Sequence, residues 1–453
     1  MMQRNSFSAF MGGLLEWYDF GLYGWAASLV FQPLFFVSGS PTVGLLAAFA
    51  TYGIGFVVRP LGGILFGHLG DKVGRKALLV ITMAVMGAAT FCVGLLPTYD
   101  AVGVWAVAGL VLCRVVQGLA VGGEFGGATL IAAEHAPPGS RGFWSSFALV
   151  GGPAGLLLSS LVFTAFAAMP DEQFLSWGWR VPFLLSVVVV AVGLYFRRKL
   201  DDPEVFQEAR ARGTDRVPAA QLFRAHKWLM LRALGARLVD APVSNVFTVF
   251  GVSYITHQLG GSPTVALLAG IISNLLICIL MPITAALSDR VGRKPVLLAG
   301  AAAMTVSPAI GFAVMHIGTT AAILLGVVIG WPVVASLIEG PTPATLTELF
   351  PTEIRCSGVS FVYQMQTIMG GATPFIAASL VAATGGRPWL LAAFLGALGV
   401  LTVASIASLP DVTGRDLNAE PVPSQYRPLP RTTFRPASPV AIKEHSCSPP
   451  APS

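Results

Sequence analysis

Long apolar runs alternate with short polar turns along the whole of this chain. Apolar stretches at about 12–36, 42–66, 78–97, 102–131, 142–168 and 179–196 form a first set of six. A second set falls at about 229–257, 263–286, 295–316, 320–346, 357–384 and 388–409. A helix needs about 20 apolar residues to cross the hydrocarbon of a bilayer. The pattern therefore predicts an all-α integral membrane fold of twelve transmembrane helices in two six-helix halves. The expected organisation is a first half over 1–196, a polar loop rich in arginine over 197–228, a second half over 229–410 and a tail over 411–453. That tail is rich in proline and serine and lacks apolar periodicity, so disorder is expected there.

The polar turns carry an internal repeat. Gly67-His68-Leu69-Gly70-Asp71-Lys72-Val73-Gly74-Arg75-Lys76 is echoed by Ala286-Leu287-Ser288-Asp289-Arg290-Val291-Gly292-Arg293-Lys294. Asp71, Gly74, Arg75 and Lys76 match Asp289, Gly292, Arg293 and Lys294 at one offset, 218. A second echo pairs Glu134, Pro137 and Arg141 with Glu348, Pro351 and Arg355, all at offset 214. Two such echoes imply two similar halves in the same orientation.

Composition narrows the class further. Of 453 residues, 54% are hydrophobic and only 11% charged, where soluble domains carry roughly 25% charged residues. A net charge of +6 can signal nucleic acid, but here the cations sit in short loops beside apolar spans, as membrane topology requires. With the N-terminus inside, the inner loops hold Lys72, Arg75, Lys76, Arg141, the arginines and lysines of the central loop, Arg290, Arg293, Lys294 and Arg355, and the outer loops hold only Arg180 and Arg387. The positive-inside rule then puts both termini in the cytoplasm of a cell-membrane protein. The five cysteines have no metal or disulfide spacing. No His-Glu-x-x-His, Gly-x-Ser-x-Gly or phosphate-loop motif occurs. No catalytic residue, metal or cofactor is expected.

Ionisable residues inside a bilayer cost about 2.5–3.5 kcal/mol each on insertion scales and usually face a wet cavity or a partner. Glu16 and Asp19, three apart on one helix, lie about 60° apart around its axis and can face one cavity. Carboxylates alternately wetted and buried can load and release protons, so both are candidates for proton coupling, with Glu124 as a third. Arg114, Gln117 and Glu124 form a polar stripe on the fourth span. Arg59, followed at once by Pro60, lies in the second span and either binds an anion or reaches to the inner face. Arg237 and Asp240, three apart in the seventh span, form either a local ion pair or the second half's wall of a site. Arg114, Gln117, Arg59, Arg237 and Asp240 are thus the candidate substrate-binding residues. Glu339, in the tenth span, can supply another proton site. Asp71, Arg75, Lys76, Glu134, Arg141, Asp289, Arg293, Lys294, Glu348 and Arg355 make a candidate cytoplasmic gate. In it an aspartate can cap a neighbouring helix and pair with cations.

These motifs carry a family resemblance. The two Gly-Asp-x-x-Gly-Arg-Lys-like turns, and Arg114-Val115-Val116-Gln117-Gly118, resemble signatures of the major facilitator superfamily. Glu16-Trp17-Tyr18-Asp19-Phe20, Arg59-Pro60-Leu61-Gly62-Gly63, Gly122-Gly123-Glu124-Phe125-Gly126-Gly127 and Gly178-Trp179-Arg180-Val181-Pro182-Phe183 are similar to its metabolite:proton symporter branch. The resemblance spans about residues 10 to 410. It implies the major facilitator fold and uptake of a metabolite such as shikimate, 2-oxoglutarate, citrate, proline or betaine, driven by the proton gradient. Departures are Gly12-Gly13, where the family has an asparagine, Asp201-Asp202-Pro203 after span six, and the charged Glu339. Several lumen arginines favour an organic acid; a zwitterionic osmolyte and proton-independent facilitation are the alternatives. The expected partners are a small-molecule substrate, protons and the lipid bilayer, without nucleic acid, and the protein is expected to be a monomer.

Overall fold

A computed structural model describes residues 2–37, 40–63, 65–66, 75–122, 136–137, 139–198, 219–351, 355–415 and 417. The first half comprises α1 (Met2–Leu29), α2 (Pro41–Gly63), α3 (Arg75–Leu95), α4 (Val104–Gly122), α5 (Arg141–Ala167) and α6 (Asp171–Tyr195). The second comprises α7 (His226–His257), α8 (Pro263–Val291), α9 (Arg293–Met315), α10 (Thr320–Leu349), α11 (Arg355–Ala383) and α12 (Trp389–Ser408). Among the described residues, ten helices are long and apolar enough to span a membrane. α1, interrupted by Glu16 and Asp19, and α3, whose apolar part is Val80–Leu95, complete the expected twelve.

The packing repeats as the sequence echoes imply. Within the first half α1 packs on α5 and α6, α3 on α4 and α6, and α2 on α4; in the second half α7 packs on α11 and α12, α9 on α10 and α12, and α8 on α10. Adding six to each number converts one set into the other. The halves meet along two related seams, α5 against α8 and α2 against α11. Side chains such as Leu112, Ile279, Val306 and Val400 point outward and are more than half exposed, as a lipid-facing surface requires.

Boundaries shift where helices run on into polar sequence. α1 starts at Met2 rather than near 12, and α8 continues to Val291, so Asp289 and Arg290 belong to its last turn. Gly292 then adopts φ 109° and passes the chain into α9 through a single residue. A side chain is strained in that left-handed conformation, which accounts for the glycine in the repeated turn. Ser262 starts α8 by accepting a hydrogen bond from Val265 N (3.3 Å), ahead of Pro263 in the first turn, a favoured helix start.

Several spans are discontinuous. α6 is π-helical over Phe174–Gly178 and α7 over Val246–Phe250. α7 turns just before Asp240, which opens the helical piece Asp240–Asn245. α10 breaks at Trp331 (φ −137°) and again at Gly340 and Pro341, isolating the piece Pro332–Glu339. By contrast α2 and α4 touch backbone to backbone. A Cβ on Gly62 would stand 2.0 Å from the Leu119 carbonyl oxygen, and one on Gly118 would stand 2.2 Å from that of Gly55.

Candidate functional site

Two polar clusters lie inside the bundle, one in each half. In the first, Asp19 on α1 accepts a hydrogen bond from the Thr90 hydroxyl of α3 at 2.7 Å. Thr90 in turn accepts one from Gln117 Nε2 (2.7 Å), and Gln117 Oε1 accepts one from Arg114 Nη1 (3.3 Å). The four side chains form one continuous chain from carboxylate to guanidinium, and none is more than 2% exposed. Arg114 also donates through Nε and Nη2 to the Tyr52 carbonyl, each at 3.3 Å. Its guanidinium carbon lies 4.2 Å from the Phe20 ring centroid and 4.3 Å from that of Tyr23. A Cβ on Gly55 would stand 2.4 Å from Arg114 Nε, so this guanidinium needs the glycine beside it.

One turn nearer the polar end of α1, Glu16 pairs with Arg59 Nη1 at 3.3 Å. Arg59 is fully buried between the Phe20 and Phe56 rings, 4.3 and 4.5 Å from their centroids. It therefore faces the bundle interior and does not extend to the membrane surface. Its Nε and Nη2 have no hydrogen-bond partner among the described residues, although buried donors are ordinarily matched.

The second cluster occupies the equivalent place in the other half. Arg237 donates to Asp240 Oδ2 (2.6 Å) and to Gln366 Oε1 (2.6 Å), and Gln366 Nε2 donates to the same Asp240 oxygen (2.7 Å). Arg237 also stacks over Tyr363, 4.7 Å from its centroid. Glu339 closes a piece of α10 that packs on the piece of α7 opened by Asp240, so the two carboxyl groups are neighbours. Tyr52 ties the first cluster to the other half: its carbonyl receives Arg114 while its hydroxyl donates to Asn245 Oδ1 of α7 at 2.8 Å. Thr90, Asn245 and Gln366 were not singled out from sequence. Uncharged polar residues in apolar runs are common, and only the packing reveals which of them complete a network.

The end of the bundle that carries the polar turns is closed by charge. Glu348 accepts Arg141 Nη1 at 2.9 Å across the halves and Arg293 Nε at 3.2 Å within its own. Asp289 pairs with Arg293 (2.7 Å) and accepts the backbone N–H groups of Gly142 and Phe143, both at 2.9 Å. It thereby caps α5 of the opposite half, where an anion suits the helix N-terminus. Lys294 donates to the carbonyls of Ala407 and Leu409 at the end of α12. The chain beyond α12 folds over this end: Arg141 also donates to the Arg415 carbonyl, Arg355 to that of Leu417, and Arg293 N to Thr413 Oγ1. Residues 411–415 and 417, expected to begin a disordered tail, thus lie against the charged network. At the opposite end Ser28 Oγ donates to the Val249 carbonyl (2.8 Å) and Phe49 packs against Phe250. The halves therefore touch at both ends. Asp71, Glu124 and Glu134 lie outside the described residues, as do the side chains of Arg75 and Lys76.

The comparisons agree with this architecture. A family model described as "Sugar (and other) transporter" matches residues 6–212, and one described as "Major Facilitator Superfamily" matches residues 233–450. The shikimate transporter of Escherichia coli (strain K12) is 38% identical over 412 residues, covering 90% of this chain and 94% of that protein. The glycine betaine/proline/ectoine/pipecolic acid transporter OusA of Dickeya dadantii (strain 3937) is 35% identical over 385 residues, 83% of this chain and 76% of that one. Among solved structures, the xylose transporter XylE from E. coli in a partially occluded inward-open conformation has a TM-score of 0.71 at 18% identity. That match covers 92% of this chain and 99% of that one, and at such identity it speaks for the fold alone. With twelve spans in two related halves and a transporter relative 38% identical over 94% of its own length, this chain is a membrane transporter of the major facilitator superfamily, in its metabolite:proton symporter branch.

Proposed function

We propose that the protein takes up a small organic acid, a mono- or dicarboxylate or a shikimate-like molecule, together with protons, by alternating access between its two halves. The observation that carries this reading is the buried arginine pair, Arg59 and Arg114, set beside Glu16 and Asp19, with Arg59 Nε and Nη2 unmatched. The four charges sum to zero. A proton on Asp19 leaves one guanidinium charge uncompensated, and a substrate carboxylate restores neutrality while filling the open donors of Arg59. An isolated buried ion costs far more than a balanced one, so proton and anion favour each other's binding and cross together. Arg237 and Asp240 form the facing wall, and Glu124 remains a candidate for the proton's onward path.

The network around Glu348 acts as the inner gate, and the positive-inside rule supports a cytoplasmic position for the charged end and both termini. Asp71, Arg75, Lys76 and Glu134 belong to the same gate by the internal repeat, and Arg355 braces it from α11. Glu348→Gln should loosen it. Three charge-assisted hydrogen bonds, each worth about 1.5–3 kcal/mol, are weakened, and the buried Arg293 is left with Asp289 as its one anionic partner among the described residues. Spin labels at Ser140 and Arg290, on opposite halves, should report a longer and broader distance distribution in that variant. An unchanged distribution would remove Glu348 from the gate.

A zwitterionic osmolyte is the second reading, favoured by the aromatic rings of Phe20, Tyr23, Tyr52 and Phe56 around one cationic position. Such rings suit a quaternary ammonium, but the Arg114 guanidinium already occupies them. Radiolabelled shikimate, dicarboxylates, proline and betaine, offered with and without a protonophore, separate the cases. Organic-acid accumulation abolished by the protonophore is expected. Accumulation of betaine alone would select the second reading, and protonophore-insensitive equilibration would make the protein a facilitator.

A further inference from the structure

The second cluster has an excess acid. Arg237 supplies one positive charge, whereas Asp240 and Glu339 can supply two negative ones, and all three lie within the spans. Asp240 is 1% exposed and Arg237 5%, so an uncompensated charge there is strongly disfavoured. The hydrogen bonds of Asp240 are also unequal. Oδ2 receives both Arg237 and Gln366, while Oδ1 is buried and receives no N–H or ordinary O–H donor among the described residues. The helical piece that Asp240 opens packs on the piece of α10 that Glu339 closes, which sets the Glu339 carboxyl beside Asp240. Ionised carboxylates only accept hydrogen bonds; two can bond to each other only when one carries a proton.

We propose that Asp240 and Glu339 hold one proton between them and form a second proton site of the transport cycle, in the half opposite Asp19. The proposal rests on the reading of the protein as a proton-coupled transporter. The proton comes from water on the side toward which the halves open, is shared between the two carboxyl groups, and returns to water on the other side; no other bond is made or broken. With the proton, the cluster of Arg237, Asp240 and Glu339 is neutral.

The fold allows the pair to part. Each acid stands at a break in its span: Asp240 opens the piece Asp240–Asn245 after the turn in α7, and Glu339 closes the piece Pro332–Glu339 before Gly340 and Pro341. Interrupted helices lining a central site are the parts that move in transporters of this kind. Glu339 is only partly buried, between the buried Ile338 and Gly340. The ionisable groups that face the pair are Arg237 of α7, Cys278 of α8 and Tyr363 of α11, with the neutral Gln366 beside them.

Infrared difference spectroscopy on the full-length protein in lipid nanodiscs tests this without a substrate. The wild type and Asp19→Asn should both retain a carbonyl-stretch band of a buried, protonated carboxyl pair at neutral pH, and Glu339→Gln and Asp240→Asn should each lose it. The distance between spin labels at Ser140 and Arg290, followed against pH in the same samples, should lose one of its transitions in Glu339→Gln. A band that persists in both carboxyl variants overturns the proposal. A lost band with an unaltered pH response overturns it too, because the pair would then be a fixed structural hydrogen bond. Uptake insensitive to a protonophore would instead defeat the underlying reading and leave the band untouched.

Discussion

Asp19→Asn is expected to abolish substrate accumulation driven by an acid-outside gradient while leaving exchange of substrate for substrate largely intact. The asparagine keeps the shape of the side chain and an oxygen that can accept the Thr90 hydroxyl, which now stands 2.7 Å from Asp19 Oδ2. The chain through Gln117 to Arg114 therefore survives. What disappears is the ability to take up a proton. Without that change of charge the cluster cannot distinguish the two sides of the membrane by their acidity, although the halves can still rock with substrate bound. Radiolabel accumulation and counterflow, measured on the same proteoliposomes, separate these behaviours. Undiminished pH-driven accumulation would remove Asp19 from the coupling role.

Arg114→Lys should be almost as damaging, through the substrate and not through the proton. Arg114 distributes its donors over the Tyr52 carbonyl and Gln117 while its flat face packs on Phe20 and Tyr23. An ammonium keeps the charge but has neither the plane nor the fork. Losing one or two charge-assisted hydrogen bonds costs about 2–3 kcal/mol, or roughly 30- to 150-fold in transport efficiency. The loss should appear in kcat/KM for uptake, with the protein still folded and inserted. Normal uptake would sink the proposed role of Arg114 in holding an anion.

The fold was largely legible in the sequence because a bilayer imposes a strict length and polarity on each span. The two offsets, 218 and 214, disclosed the two-half plan before any contact was known. Asp19, Arg114 and Gln117 could be singled out because charge inside a span is rare. Their order in the network could not, because Thr90, which joins Asp19 to Gln117, looks like any other threonine on an apolar helix. Arg59 was ambiguous for a related reason. Sequence places it within a span but does not tell whether it faces the bundle or reaches to the surface, and only the rings of Phe20 and Phe56 on either side decide that. The anchored segment past residue 410 was hidden by its composition. It is held mainly through its backbone carbonyls, and those leave no mark in the side-chain pattern.

The backbone contact between α2 and α4 implies a division of labour between the halves. Gly62 against Leu119 and Gly118 against Gly55 leave no side-chain cushion through which those helices can slide. Arg59 and Arg114, one on each helix, should therefore keep a fixed spacing throughout the cycle, like two jaws machined from one block. The interrupted α7 and α10 are the compliant members. Selectivity would then be set by the stiff half and timing by the supple one. Evolution could retune which acid is carried by altering residues around the jaws, and how fast by altering the breaks, with little interference between the two.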